Sequence, residues 1–166
     1  MPTPSRRELP IGVAVVVLDQ AVKALVRTSM RLSESVTVIP GFFDVTRVHN
    51  TGTAFGFMNG IDFPFKPAVL ACVAIVALGG LGLYARSLPR EQGLARTGLA
   101  LILGGAAGNL IDRVALGYVI DFVDVYWSTW HFWAFNVADA AISIGVALMV
   151  IDMLGVGPRP PHDLSL

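Results

Sequence analysis

The chain has 166 residues, and its 12 basic and 12 acidic side chains give a formal net charge of zero. Only 14% of the residues are charged and 54% are hydrophobic, with a mean hydropathy of +0.66, whereas soluble domains carry about 25% charged residues. This composition argues against a basic nucleic-acid-binding protein and against an acidic disordered chain, and it indicates one integral-membrane domain over residues 1–166.

Four apolar segments have, or can be extended to, the length of about 20 residues that a spanning helix needs. In chain order they predict helices at about 10–27, 67–86, 96–112 and 135–153. The first segment follows a pair of arginines, as an export signal does. However, Asp19 and Lys23 lie four residues apart on one helical face, where their charges would neutralise each other, and we therefore expect a retained helix.

Basic residues in the short loops and at the ends predict the orientation of these helices. Both termini are expected to be cytoplasmic, because short cytoplasmic segments are enriched in Lys and Arg. The basic residues that define this side are Arg6, Arg7, Arg86, Arg90, Arg96 and Arg159. The tail at about 156–166 is rich in proline and is expected to be disordered.

The two connections on the opposite side are long and different in character. Residues 35–58 alternate polar with β-branched or aromatic side chains, which predicts a small extracytoplasmic β-ribbon or sheet with turns at Pro40–Gly41 and after Asn50. The second connection is dense in aromatic residues, since eight of the 15 in the chain lie between Tyr118 and Phe135. Such side chains favour the membrane interface. The predicted fold class is therefore an all-α membrane protein with four transmembrane helices, an outer β-ribbon and an interfacial aromatic connection.

Several aspartates lie in or beside the apolar segments, where each would cost about 2.5–3.5 kcal/mol at the bilayer centre. Asp19 has Lys23 as a structural partner, and Asp112 has either a structural or a functional role. Asp139 fits a capping box with Asn136 at the start of the fourth helix, which explains why the acid is tolerated there. That interpretation does not explain why Asp139 is enclosed by apolar residues, and Asp121 is enclosed in the same way.

Asp121 and Asp139 both belong to the outer side and can meet at one depth. Two facing carboxylates in a poorly solvated place cannot both ionise cheaply, so one keeps its proton while the other stays charged. The charged member can take a proton from water while the neutral member hydrogen-bonds the oxyanion that forms. This arrangement suggests an aspartic-peptidase dyad, although spacing alone leaves an accidental pair open.

Five motifs occur in the order found in one family. They are "LDQAVK" (18–23), "HNTGTAFG" (49–56), "GGAAGNLIDRV" (104–114), "GYVIDFVDVYW" (117–127) and "FNVADAAI" (135–142). Together they resemble the signature blocks of the bacterial lipoprotein signal peptidase, or signal peptidase II. Thr53 stands where that family commonly has alanine.

The resemblance implies a membrane aspartic endopeptidase that removes signal peptides from diacylglyceryl-modified prolipoproteins. Such enzymes cut on the amino side of the lipidated lipobox cysteine. Its catalytic aspartates would be Asp121 and Asp139. Its supporting or substrate-binding residues would be Asn50, Asn109, Asp112, Arg113 and Asn136. It implies no metal, no cofactor and no nucleic acid; we expect a monomer surrounded by membrane lipids.

Two other classes of function are compatible with some of these features. A small proton-coupled transporter would use Asp19, Asp112 and Asp139 as relay groups, and it predicts acids staggered across the membrane depth. A non-enzymatic scaffold would bind partners through the outer ribbon, and it predicts that neither Asp121 nor Asp139 is needed.

Overall fold

The protein is described here by a computed structural model that covers residues 8–52, 58, 60–89 and 91–155. Within these ranges the chain forms four long helices and one four-stranded antiparallel sheet. The helices are α1 (Glu8–Ser29), α2 (Lys66–Ser87), α3 (Gly93–Leu116) and α4 (Val137–Met153). The strands are β1 (Ser35–Ile39), β2 (Phe43–Asn50), β3 (Val119–Trp127) and β4 (Trp130–His131). The predicted helices at 10–27, 67–86, 96–112 and 135–153 all lie within, or within two residues of, these helices. Arg6, Arg7, Thr53, Arg90, Arg159 and the tail lie outside the described ranges.

Helix α3 is the centre of the bundle, because it packs against each of the other three helices. Small residues allow this close approach. A Cβ atom added to Gly104 would lie 2.7 Å from the backbone oxygen of Gly12 on α1, and one added to Gly98 would lie 2.5 Å from that of Gly145 on α4. The glycine-rich run of α3 thus serves helix packing.

Within the described part of the chain, three helices are long and apolar enough to cross a membrane, namely α1, α2 and α3. Helix α2 contributes only Lys66 and Ala71 to the buried set, so almost its whole surface is left for lipid. Helix α4 is also apolar but has 17 residues. The protein is therefore a multi-pass membrane protein with at least these three candidate spans.

The sheet has the strand order β1-β2-β3-β4 and includes most of the second long connection. The sequence pattern predicts strands only in residues 35–58, whereas β3 and β4 extend the sheet through residues 119–131. The turn between β1 and β2 is the predicted one: Gly41 has a φ of 80°, and Phe42 N donates to Ile39 O at 3.0 Å. Such a turn suits Pro followed by Gly, since the second position needs a positive φ.

A β-bulge in β2 decides which side chains share a face with Asp121. Val45 pairs with Val123 and Val48 with Asp121, so β2 has one more residue than β3 between these pairs. An extra residue reverses the alternation of faces beyond it. Asn50, which pairs with Val119, therefore lies on the same face as Asp121, and His49 points to the other face.

The opposite face of β3 closes the end of the bundle. Ile120 and Phe122 are buried there against Val26 near the end of α1. Asp121 alternates with these two apolar residues along β3. Because Ile120 and Phe122 pack against α1, the carboxylate of Asp121 is directed to the other face of the strand, towards α3 and α4.

Candidate active site

Asp121 is held by two side-chain amides inside the protein. Its side chain lies on β3 and the residue is only 2% exposed. Asn50 Nδ2 donates to Asp121 Oδ2 at 2.9 Å, and Asn136 Nδ2 donates to Asp121 Oδ1 at 2.7 Å. Both oxygens therefore accept hydrogen bonds from neutral groups, which hold the carboxylate in place without adding a charge to the site.

Asp139 lies in the first turn of α4, where it completes the predicted capping box. Asn136 Oδ1 accepts from Asp139 N at 2.9 Å, and Asp139 Oδ2 accepts from Asn136 N at 3.2 Å. The other oxygen is engaged elsewhere, since Asn109 Nδ2 donates to Asp139 Oδ1 at 2.8 Å. The capping role and a chemical role are therefore compatible, because the cap orients the carboxylate and fully occupies neither oxygen.

Asn136 joins the two aspartates. It is 0% exposed, and it contacts the Asp121 carboxylate through its side chain and the Asp139 carboxylate through its backbone nitrogen. Its position follows from sequence, because an N-cap residue adopts an extended conformation before the helix and keeps its side chain at the helix start. The two acids are thus held around one amide, one from the sheet and one from α4.

Arg113 lies on α3, one residue after Asp112, and ties the site to the turn that follows β2. Its Nη2 donates to Gly52 O at 3.1 Å and its Nη1 donates to Asn109 O at 3.3 Å. The same turn is closed by Gly52 N, which donates to Asn50 Oδ1 at 2.9 Å. Arg113 therefore fixes the backbone on which Asn50 is presented to Asp121.

Asp112 points away from the paired acids and into a buried ion cluster. Its Oδ2 lies 3.0 Å from Lys23 Nζ and accepts from Ile120 N at 3.1 Å. Asp112 thus anchors the start of β3 to α3. The predicted pair of Asp19 and Lys23 is confirmed at 2.8 Å, and Gln20 Nε2 donates to both Asp19 and Asp112.

This cluster contradicts the arrangement that a transporter needs. Asp19 Oδ1 accepts from Ala138 N at 2.9 Å, one residue before Asp139, and Lys23 Nζ links Asp19 to Asp112. Asp19, Asp112 and Asp139 therefore gather at one level of the bundle, at the middle of α1, near the end of α3 and in the first turn of α4. A relay across the membrane would require them at several depths.

Two cavities reach Asp139 and Asn50 from different sides. One of about 180 Å³ is lined by Asn50, Ala74, Ala106, Asn109, Arg113, Val119, Asp139 and Ile142. The other, of about 410 Å³, is lined by Asn50, Phe132, Trp133, Ala134, Phe135, Asp139, Ala140, Ile142, Ser143 and Ile144. The lining of the smaller cavity includes the polar residues Asn50, Asn109, Arg113 and Asp139, whereas the lining of the larger cavity is mostly apolar. The smaller cavity has room for water molecules beside Asp139.

The environment of Asp121 favours its neutral form. Burial, and after it the charge of Asp139, raises the pKa of Asp121 to about 7, whereas the amides of Asn50 and Asn136 and the charge of Lys23 act in the opposite direction. Asp121 thus retains its proton at pH values where an exposed aspartate has lost it.

The raised pKa predicts a pH-dependent effect of Asp121→Asn on stability. The folded protein keeps a proton on Asp121 up to about pH 7, whereas the unfolded chain loses it near pH 4. Between these values the folded state binds more protons, so its stability falls as the pH rises, by about 4 kcal/mol in all. The asparagine variant has no such loss. Between pH 5 and pH 8, the melting temperature of the variant should rise relative to that of the unaltered protein, both measured in one detergent. A difference in melting temperature that is independent of pH would contradict the prediction.

The site residues named from sequence are thus all placed, but in two groups. Asn50, Asn109, Asn136 and Arg113 surround Asp121 and Asp139, while Asp112 belongs to the ion cluster. The pairing of Lys23 with Asp19 is predicted by the sequence, whereas the connection of these two residues to the site is not. The four-residue spacing of that pair was the available signal, since it places both charges on one face of α1.

Transmembrane helices around a buried pair of carboxylates, beside a cavity that water can enter, are the features of a membrane aspartic peptidase. The comparisons agree with this class. The family model for signal peptidase (SPase) II matches residues 11–155, and the chain belongs to that family.

Curated relatives and solved structures resemble the chain over nearly its whole length. A lipoprotein signal peptidase of Geobacter sulfurreducens is 51% identical over 83% of this chain and 85% of its own. One from Geobacter metallireducens is 48% identical over 96% of this chain and 98% of its own. A bacterial membrane enzyme solved by the in meso method at 2.3 Å resolution has a TM-score of 0.78 and 30% identity, over 95% of this chain and 94% of that one.

Proposed function

We propose that the protein removes signal peptides from diacylglyceryl-modified prolipoproteins, with Asp121 and Asp139 as its catalytic residues. The juxtaposition of these two acids around Asn136 carries the proposal, since Asn136 donates to Asp121 at 2.7 Å and to Asp139 at 3.2 Å. The similarity to lipoprotein signal peptidases supports the choice of substrate.

The reaction follows from a pair that holds one proton. The ionised carboxylate takes a proton from a water molecule, and the resulting hydroxide forms a bond to the scissile carbonyl carbon. The protonated carboxylate donates a hydrogen bond to the carbonyl oxygen as it becomes negative. The tetrahedral intermediate then collapses, the C–N bond breaks, and a proton passes to the leaving amine. Neutral amides from Asn50, Asn109 and Asn136 keep the pair oriented through these proton transfers.

The substrate's apolar parts would remain in lipid while the scissile bond enters the site. The mostly apolar cavity of about 410 Å³ ends at Asp139 and Asn50 and is bounded by the Phe132–Phe135 segment and α4. We assign this cavity to the acyl chains or the signal-peptide end beside the cysteine. Trp127, Trp130 and Trp133 are exposed by 60–75%, which fits aromatic side chains resting in the headgroup region.

The proposed topology places the sheet on the outer face of the inner membrane, with both termini in the cytoplasm and the protein acting as a monomer. Helix α4 would be the fourth span. Its 17 residues are about 26 Å long, close to the hydrocarbon thickness of about 30 Å. Arg86, in the last turn of α2, and Arg96, in the first turn of α3, would lie on the cytoplasmic side in this arrangement.

A substrate comparison tests the proposed function. Purified enzyme is incubated with a prolipoprotein carrying the diacylglyceryl group and with the same precursor lacking it. Cleavage of the unmodified precursor should be at least about 100-fold slower, because contacts with the acyl chains are expected to orient the scissile bond in the site, and a misplaced bond reacts about 100-fold more slowly. Mass spectrometry should find the lipidated cysteine at the new amino terminus. Equal cleavage of both precursors, or a cut elsewhere, would contradict the assignment.

A further inference from the structure

Lys23 is a buried cation whose donors are all used. The residue lies on α1 and is 2% exposed. Its Nζ lies 2.8 Å from Asp19 Oδ2 and 3.0 Å from Asp112 Oδ2, and it donates to Asn109 Oδ1 at 2.9 Å. An ammonium group has three N–H donors and no acceptor. These three contacts therefore satisfy the group completely inside the bundle.

The hydrogen bond from Lys23 Nζ to Asn109 Oδ1 determines the orientation of the Asn109 amide. Asn109 Oδ1 receives Lys23 Nζ and also Asn136 Nδ2, at 3.2 Å, so the amide nitrogen must face the other side. There Nδ2 donates to Asp139 Oδ1 at 2.8 Å. A reversed amide would oppose an NH₂ group to the ammonium and a carbonyl to the carboxylate. Lys23, which can only donate, excludes that arrangement.

We propose that Lys23 is a positioning residue of the reaction, which acts through Asn109 to orient and charge-balance the Asp121–Asp139 pair. This inference rests on the proposed function. Lys23 is 2% exposed and does not line either of the two cavities described above. It acts on the pair through one intervening side chain and through its charge.

The charged groups around the pair come from two helices. Helix α1 supplies Asp19 and Lys23, and α3 supplies Asp112 and Arg113, while Asp121 lies on β3 and Asp139 on α4. Removing the ammonium leaves Asp19 and Asp112 without their shared cation, and the pair then faces more negative charge. The charge of Lys23 lowers the pKa of Asp121, so its loss should raise the pH at which the pair becomes singly ionised.

Lys23→Met tests the proposal, with Lys23→Arg as the conservative variant. For Lys23→Met we expect kcat to fall about 100-fold, within the range for an impaired acid–base pair, with KM nearly unchanged. The acid limb of the pH profile should move to higher pH by about one unit. Lys23→Arg, which keeps a donor-only cation, should recover most of the rate and the original acid limb. Rates are expressed per folded molecule, from melting curves in the same detergent.

A double variant controls for misfolding that Lys23→Met could cause by leaving Asp19 and Asp112 without their shared cation. Asp19→Asn combined with Lys23→Met removes one negative and one positive charge, so the net charge of the cluster is unchanged. It should keep the low kcat, because Asn109 has lost its donor, while its acid limb returns towards that of the unaltered enzyme. Wild-type kcat per folded molecule in this variant, or in Lys23→Met, would overturn the proposal, as would a loss that follows stability alone with an unmoved acid limb.

The Asp121→Asn variant separates the two levels of inference. If it is inactive and Lys23→Met behaves as the unaltered enzyme, the positioning role alone is wrong. If Asp121→Asn cleaves normally, the proposed function fails and the role of Lys23 fails with it.

Discussion

Asp121→Asn and Asp139→Asn should each lower kcat/KM for a diacylated prolipoprotein by about 1000-fold or more, the loss expected when a positioned acid–base group is removed. Asparagine has nearly the same shape as aspartate, but it can neither take a proton from water nor share one with its neighbour. At position 139 the amide oxygen can still accept from Asn136 N, so the cap of α4 is retained, but the amide nitrogen cannot accept the hydrogen bond from Asn109 Nδ2. Rates are therefore expressed per folded molecule, so that the loss measured is that of the chemical step. Initial rates from the shift of the precursor band would measure it.

Asp124→Asn is the matched control for these variants. Asp124 lies on the same strand, three residues after Asp121 and so on the opposite face, where it contacts His131 at 2.9 Å. It should retain activity within about twofold, as expected for a substitution at a surface ion pair. Full activity in Asp121→Asn or Asp139→Asn would remove the dyad and restore the scaffold hypothesis. Inactivity of all three would indicate damage to the sheet.

The helices and the two enclosed acids could be predicted from the sequence. The helices depend on local patterns, and a carboxylate among apolar residues has a high desolvation cost. Apolar length alone predicts spans, and the N-cap preference of Asn136 places Asp139 in a first turn whatever the surroundings. The high cost of an enclosed carboxylate marked Asp121 and Asp139 as residues that need an explanation. The motif resemblance then supplied roles that spacing alone left open.

The rest depended on contacts between distant parts of the chain. The aromatic residues of β3 suit the membrane boundary and therefore predict an interfacial connection. Together with its β-branched residues, however, they also suit a strand. The bulge between Val45 and Val48 has no local signal, yet it places Asn50 instead of His49 beside Asp121. The meeting of Lys23 with Asn109 joins residues 86 positions apart, and periodicity carries no information on such a pair.

The close packing of α3 on α4 at Gly105 lies beside the first turn of α4, which carries Asp139. A Cβ atom there would collide with the backbone oxygen of Ala138 and lie 2.8 Å from Ile142 Cγ1. Ala138 lies between Asn136 and Asp139, so relief of the collision requires the first turn of α4 to move away from α3. The Asn109–Asp139 hydrogen bond crosses this same contact between the two helices.

Gly105→Ala is therefore expected to lower both stability and activity, although alanine is the better helix former. The collision should cost about 1–3 kcal/mol, as overpacking of a tight interior does, and kcat should fall with it as Asp139 is displaced. Gly80→Ala on α2 is the control, since a Cβ there meets nothing within 4 Å. That variant should be unchanged or more stable by up to about 1 kcal/mol, the helix-propensity difference between the two residues. Melting temperature and cleavage rate, measured in one detergent, compare the two. If Gly105→Ala matched Gly80→Ala in both, the contact between α3 and α4 would be looser than described, and close packing would not be what holds Asp139 beside Asn109.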